Sequence, residues 1–164
     1  MKTLYLLRHA KSSWQHPGLN DIDRPLLEKG LFKIQLINDY LLAKQVKIDM
    51  IISSPAVRAR QTAEIFANAL GFPTDDIIIE NKVYHGDTDD LLELFFHIPS
   101  QVDSLMIVGH NPTITSFANH FLNYNIDCLP TSGIACISFS TDKWENIALA
   151  KRKTNFVVYP KMFS

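Results

Sequence analysis

The sequence predicts an α/β fold, a largely parallel sheet with helices covering both faces. Two observations carry the prediction. Short apolar runs, the length of buried strands, alternate with longer segments whose apolar residues recur at helical spacing. That alternation is the pattern of a mostly parallel sheet whose crossovers are helices.

The elements follow in order. Residues 3–7 form a short apolar run and read as a buried strand. Leu27, Leu31, Ile34, Ile37 and Leu41 mark a helix over 27–42. Met50, Ile51 and Ile52 centre a second strand over 49–53. Ala59, Ala63, Phe66 and Leu70 share a face of a helix over 56–70, which Gly71 stops. Ile77–Ile79 lie in a third strand over 76–80, and a helix over 89–97 ends before Pro99. A fourth buried strand spans 104–108. Ile114, Phe117, Ala118, Phe121 and Leu122 mark a helix over 112–122. Residues 134–140 and 147–152 read as a closing β-pair joined around Asp142 and Trp144, and the apolar tail at 156–160 is expected to pack on the body.

With 164 residues, the chain fits one domain with a single core, residues 1–164. It is 46% hydrophobic and 20% charged, which excludes a disordered chain. A formal net charge of −1 provides no global basic field, so nucleic acid is not an expected partner and any anion site must be local. Cys128 and Cys136 match no metal spacing or disulfide scaffold and read as reduced thiols. Arg8 and His9 interrupt the N-terminal apolar run before it could serve as a signal sequence, and no run approaches membrane-spanning length. A cytoplasmic location with no membrane partner is the expectation.

Open parallel sheets bind ligands beyond the carboxyl ends of their strands. The first strand ends in Arg8-His9-Ala10-Lys11-Ser12, the second in Ser53-Ser54-Pro55-Ala56-Val57-Arg58, and the fourth in Gly109-His110-Asn111-Pro112. Ser54 and Asn111 each precede a proline and read as helix N-caps, with the proline as the first helical residue. A helix start favours an anion. Arg58 would fall in the first turn near that pole, while Arg60 points elsewhere; spacing alone leaves open which arginine faces the site. A lone histidine after a strand is ordinarily a packed side chain, and a lone arginine a surface charge. Two histidines and two candidate arginines at three strand ends of one sheet argue instead for a shared anion pocket.

These residues resemble a known family. Leu7-Arg8-His9-Ala10-Lys11-Ser12-Ser13-Trp14 is similar to the first motif of the histidine phosphatase superfamily, the phosphoglycerate-mutase-like proteins. Alanine replaces the usual glycine of Arg-His-Gly, as in the small phosphohistidine phosphatase branch. Asp23-Arg24-Pro25-Leu26 and Gly30 resemble the lead into the family's first helix, Ser53 to Ala63 its second motif, and Gly109-His110-Asn111-Pro112 its third. Three ordered motifs make the resemblance specific. It implies a three-layer α/β sandwich, His9 as nucleophile, and Arg8, Arg58 and His110 as phosphate ligands. It also resolves the choice of arginine in favour of Arg58, and the family's small members suggest a monomer.

The chemistry suits these residue types. Neutral imidazole, with an unperturbed pKa of about 6.5, is a competent nucleophile near neutrality. Guanidiniums keep it neutral and offset phosphoryl charge, so neither metal nor other cofactor is required. Lys11, Ser12, Gln15, Asn111 and His85 are substrate-binding candidates. Trp14 reads equally as pocket wall or packing, and His16, His97 and His120 as ordinary side chains. Residues 81–90 offer no clear general acid. His85 and Asp87 are candidates there, although Asp87 or Thr88 suits a helix cap better. A phosphoramidate, whose P–N bond is labile, manages with little acid assistance. The expected function is therefore dephosphorylation of phosphohistidine on a protein. The alternatives are a small-molecule phosphomonoesterase on the same site and a non-catalytic phosphohistidine-binding module. A mutase lacks the length for a closed pocket. A two-histidine metal site lacks ligand spacing and has arginine neighbours.

Overall fold

The computed structural model describes residues Met1–Ser164. Its centre is a six-stranded sheet in the order β3-β2-β4-β1-β5-β6. The strands are β1 (Lys2–Arg8), β2 (Met50–Ser53), β3 (Ile78–Ile79), β4 (Ser104–Gly109), β5 (Ile134–Phe139) and β6 (Arg152–Val158). The first four run parallel; on the β1 side β5 pairs antiparallel with β1, and β6 antiparallel with β5. The helices are α1 (Glu28–Ala43), α2 (Val57–Leu70), the one-turn α3 (Lys82–His85), α4 (Thr88–Leu94) and α5 (Thr113–Phe121).

Strand periodicity explains the three layers. Alternate residues of a strand face opposite sides. Leu4 and Leu6 of β1, with Leu105 and Ile107 of β4, face a cluster that holds Leu91, Phe95, Phe117, Phe121 and Trp144. Tyr5, Leu7, Met106 and Val108 face the other way, onto Ile34, Ile37, Ala59, Ala63 and Phe66. Thus α1 and α2 cover one face and α4 and α5 the other, the phosphoglycerate-mutase-like sandwich that the motifs implied. Phe117 is fully buried, stacked on Phe95 at 5.8 Å and edge-on to Phe121 at 5.3 Å. Phe117→Ala is expected to destabilise the fold by about 3–5 kcal/mol, read as a lower urea midpoint.

The structure corrects the closing β-pair. Residues 147–152 are not its second strand; β6 begins at Arg152 and takes in Phe156 and Val157 of the supposed tail. Trp144–Asn146 is a 3-10 turn that buries Trp144 and Ile147 in the core, with the Trp144 indole N–H donating to the Val102 carbonyl at 2.6 Å. Ile147 owes its apolar character to that burial, and the true strand is masked by its exposed, polar outer face. The two presumed proline-led helix starts are also later than expected. Ala56 and Pro112 stand at the N-cap positions of α2 and α5, and neither helix has a side-chain cap. Ser54 and Asn111 are drawn into other bonds, described below. Asp87 does cap α4, in a reciprocal capping box with Asp90.

Candidate active site

Sheet register assembles the site. Arg8 at the end of β1 lies opposite Gly109 at the end of β4, and Ser53 of β2 lies opposite Val108 of β4. Backbone bonds continue past the strands: His9 N–H donates to the Gly109 carbonyl at 3.1 Å and Ser54 N–H to that of Val108 at 3.1 Å. The residues following three strands therefore meet at one end of the sheet. They line a cavity of about 530 Å³ whose wall includes Arg8, His9, Arg58 and His110.

His9 is buried, and its ring lies 5.0 Å from that of His110, centroid to centroid. Its Nδ1 bonds the Ala10 carbonyl at 2.7 Å. A carbonyl only accepts, so Nδ1 carries the proton and neutral His9 keeps Nε2 bare. The loop that holds it is fixed from two sides. Ala10 N–H donates to Thr62 Oγ1 at 3.0 Å, and Thr62 in turn donates to the Arg58 carbonyl at 2.7 Å. On the other side Leu27 N–H donates to the Lys11 carbonyl at 2.9 Å, and a Cβ on Gly30 of α1 would stand 3.0 Å from that oxygen.

Burial pushes the His9 imidazolium down to about 4, and Arg58, Arg8 and Arg24 add to the effect against the opposing Ala10 bond. Burial, then the His9 and Arg58 charges, push His110 down to about 3. Both rings are neutral at pH 7. The ring resonances of His9 are expected to titrate in NMR with a midpoint near pH 4. A midpoint at the ordinary value of about 6.5 would contradict this environment.

The two arginines are anchored without being exhausted. Arg8 Nη1 donates to the Leu129 carbonyl at 3.1 Å, and its buried Nε has no protein partner. Arg58 donates through Nη1 to the Asp21 carbonyl at 2.6 Å and through Nη2 to Asp21 Oδ2 at 2.9 Å, and its buried Nε is likewise unpartnered. Asp21 is a hub: it also accepts from the Tyr84 hydroxyl at 2.7 Å and from Arg24 Nε at 3.1 Å. These bonds, Tyr84's foremost, hold its carboxyl well below the usual range, so it is a carboxylate at any pH of interest. Arg24 reaches on to Ser12 Oγ at 2.7 Å and lies 3.6 Å from the centre of the Trp14 ring.

Of the other candidates, Lys11, Ser12, Gln15 and Asn111 all line the cavity. Asn111 donates to the Leu129 carbonyl at 2.9 Å and accepts from Thr115 Oγ1 at 2.6 Å, so its amide braces the same loop that holds Arg8. Trp14 lines the mouth and is largely exposed, which makes it wall and not packing. His85 does not reach the cavity. It is exposed on α3, its ring 4.5 Å from Tyr84, and Tyr84 is the residue that turns toward His110 at 5.4 Å. Arg60 is turned away, onto the Pro55 carbonyl. Sequence reasoning gave no role to Asp21, Tyr84, Thr62 or Arg24. No group of three His, Cys, Asp or Glu side chains is arranged to hold a metal ion.

A cavity of arginines and neutral imidazoles at the strand ends of this sandwich suits a phosphoryl group. The chain belongs to the histidine phosphatase superfamily. The model of its branch 1 matches residues 4–83. A solved Agrobacterium tumefaciens structure, provisionally assigned as the phosphohistidine phosphatase SixA, is 30% identical and superposes with a TM-score of 0.80, covering 97% of this chain and 98% of its own. The protein histidine phosphatase SixA solved with tungstate is 21% identical, with a TM-score of 0.79 over 99% of both chains. The phosphohistidine phosphatase SixA of Escherichia coli K12 is 23% identical over 112 residues, 68% of each chain.

Proposed function

We propose that the protein is a phosphohistidine phosphatase that works through a phosphoenzyme on His9, without a metal ion, and that its substrate is phosphohistidine carried on a protein. One observation carries the substrate class. The twelve residues lining the cavity include no carboxylic acid, and the carboxylate behind Arg58, Asp21, is locked in its charged form. Tyr84 donates its proton to Asp21, and that bond raises its pKa, which makes it a poor acid as well. An alkyl phosphate ester needs a proton on its leaving oxygen. The nitrogen leaving a phosphohistidine takes its proton from solvent at an open mouth. Exposed Lys11, Trp14 and Gln15 form that mouth, which admits a side chain presented by another protein.

In the proposed reaction, His9 Nε2 attacks phosphorus in line as the P–N bond to the substrate imidazole breaks. Arg8, Arg58 and His110 hold the phosphoryl oxygens, and guanidinium charge does the work a metal does elsewhere. Water then attacks phospho-His9, releasing phosphate and restoring the bare Nε2. The test compares initial rates on a phosphohistidine protein with those on a panel of sugar and nucleotide phosphates. Faster turnover of the phosphohistidine protein is expected. Preference for an ester would make the protein a small-molecule phosphomonoesterase. Tight vanadate binding without turnover of any donor would make it a phosphate-binding module.

A further inference from the structure

We propose that Ser54 is a positioning residue that fixes His110 as its Nδ1–H tautomer, and so makes Nδ1 the nitrogen that donates to the phosphoryl group. The tautomer claim stands on the geometry of the free protein; only the donation rests on the phosphatase reading.

Ser54, in the turn between β2 and α2, is fully buried. It was expected to cap a helix, and it does not. Its hydroxyl oxygen accepts the Ala56 N–H at 3.1 Å and lies 2.7 Å from His110 Nε2. Two bonds to its backbone hold it there: Ser54 N–H donates to the Val108 carbonyl and the Ser53 hydroxyl donates to the Ser54 carbonyl. The other ring nitrogen of His110, Nδ1, is buried without a protein partner.

Proton counting selects one arrangement. Neutral His110 carries a single N–H. Placed on Nε2, that hydrogen would make Ser54 Oγ accept twice, from Nε2 and from the Ala56 N–H, and the fully buried hydroxyl would then have no protein acceptor for its own hydrogen. A bare Nδ1 lone pair would also face whatever oxyanion entered beside Arg8 and Arg58. Placed on Nδ1, it leaves Nε2 free to accept the Ser54 O–H, and the one donor left without a protein partner is the Nδ1–H itself, on the ring that lines the cavity. It also gives the cavity a donor where a phosphoryl oxygen needs one. The two histidines thus receive opposite assignments from their anchors. Ala10, an obligatory acceptor, leaves His9 with a bare Nε2 as nucleophile, while Ser54, acting as donor, leaves His110 with an N–H to give.

The test is nitrogen-15 NMR of the imidazole rings in the free protein at neutral pH. His110 is expected to show a protonated Nδ1 and a bare Nε2. In Ser54→Ala, checked for an unchanged backbone amide spectrum, the ring should shift to the Nε2–H form or a mixture. Turnover (kcat/KM) and vanadate affinity should then fall by about 10- to 100-fold. Ser54→Thr keeps the hydroxyl and should keep the tautomer. An Nε2–H ring in the unmodified protein would overturn the proposal, a result that needs no variant to fold. So would an unchanged tautomer in Ser54→Ala. The expected tautomer in a protein that turns over no phosphorylated donor would leave Ser54's role on His110 intact and sink the phosphatase reading instead.

Discussion

His9→Ala is expected to remove turnover of a phosphohistidine protein by about 10⁴-fold or more, the loss typical of deleting a nucleophile. Mass spectrometry should find phosphate on His9 in protein quenched during turnover and none in the variant. Vanadate is the control that separates nucleophile from ligand. Arg8, Arg58 and His110 each keep their anchors when the His9 ring is gone, so the variant should still bind the oxyanion. A phosphorylated residue other than His9, or full turnover by His9→Ala, would refute the assignment. The backbone bond from Ala10 to Thr62 does not involve the ring, so the loop should keep its shape in the variant.

The sheet was legible because Leu4–Leu7 of β1 and Leu105–Val108 of β4 are unbroken apolar runs whose alternate residues fill the cores on its two faces. Residues 147–152 misled for the same reason that rule works. Apolar residues at 147 and 149 mimic a strand, but Ile147 enters the core from a turn, and Leu149 is exposed. Arg8, His9 and His110 were legible because each lies at or just after a strand end, whereas position left Arg58 open against Arg60 and only the resemblance to the family's second motif chose between them. The hub beside them was not legible. Asp21 lies 37 positions from Arg58 and 63 from Tyr84, and no local pattern announces a contact of that range. His85 was preferred to Tyr84 because a histidine reads as chemistry. The single turn of α3 settles the matter by pointing the tyrosine inward.

That hub makes Arg58 the second site of large effect. A guanidinium has five N–H donors, and Asp21 takes two of them in fixed directions. The remaining donors, including the buried Nε, are left for a ligand. Arg58→Gln removes the charge and the fork together, and kcat/KM on a phosphohistidine protein is expected to fall by about 10²- to 10³-fold, about 2.7–4 kcal/mol of transition-state stabilisation. Arg58→Lys should recover little of it. An ammonium is a point charge on a flexible stem and cannot keep two bonds to Asp21 while presenting a planar pair to phosphate. Arg58→Gln, which removes the charge, should also let the His9 pKa rise, because Arg58 is the largest of the charges that oppose its protonation. Kinetics of the lysine variant decide between orientation and charge. If Arg58→Lys runs near the native rate, Arg58 supplies charge alone and the Asp21 hub has no part in aiming it. A loss close to that of Arg58→Gln means that the direction of its N–H groups, set by a residue 37 positions away, is what the site requires.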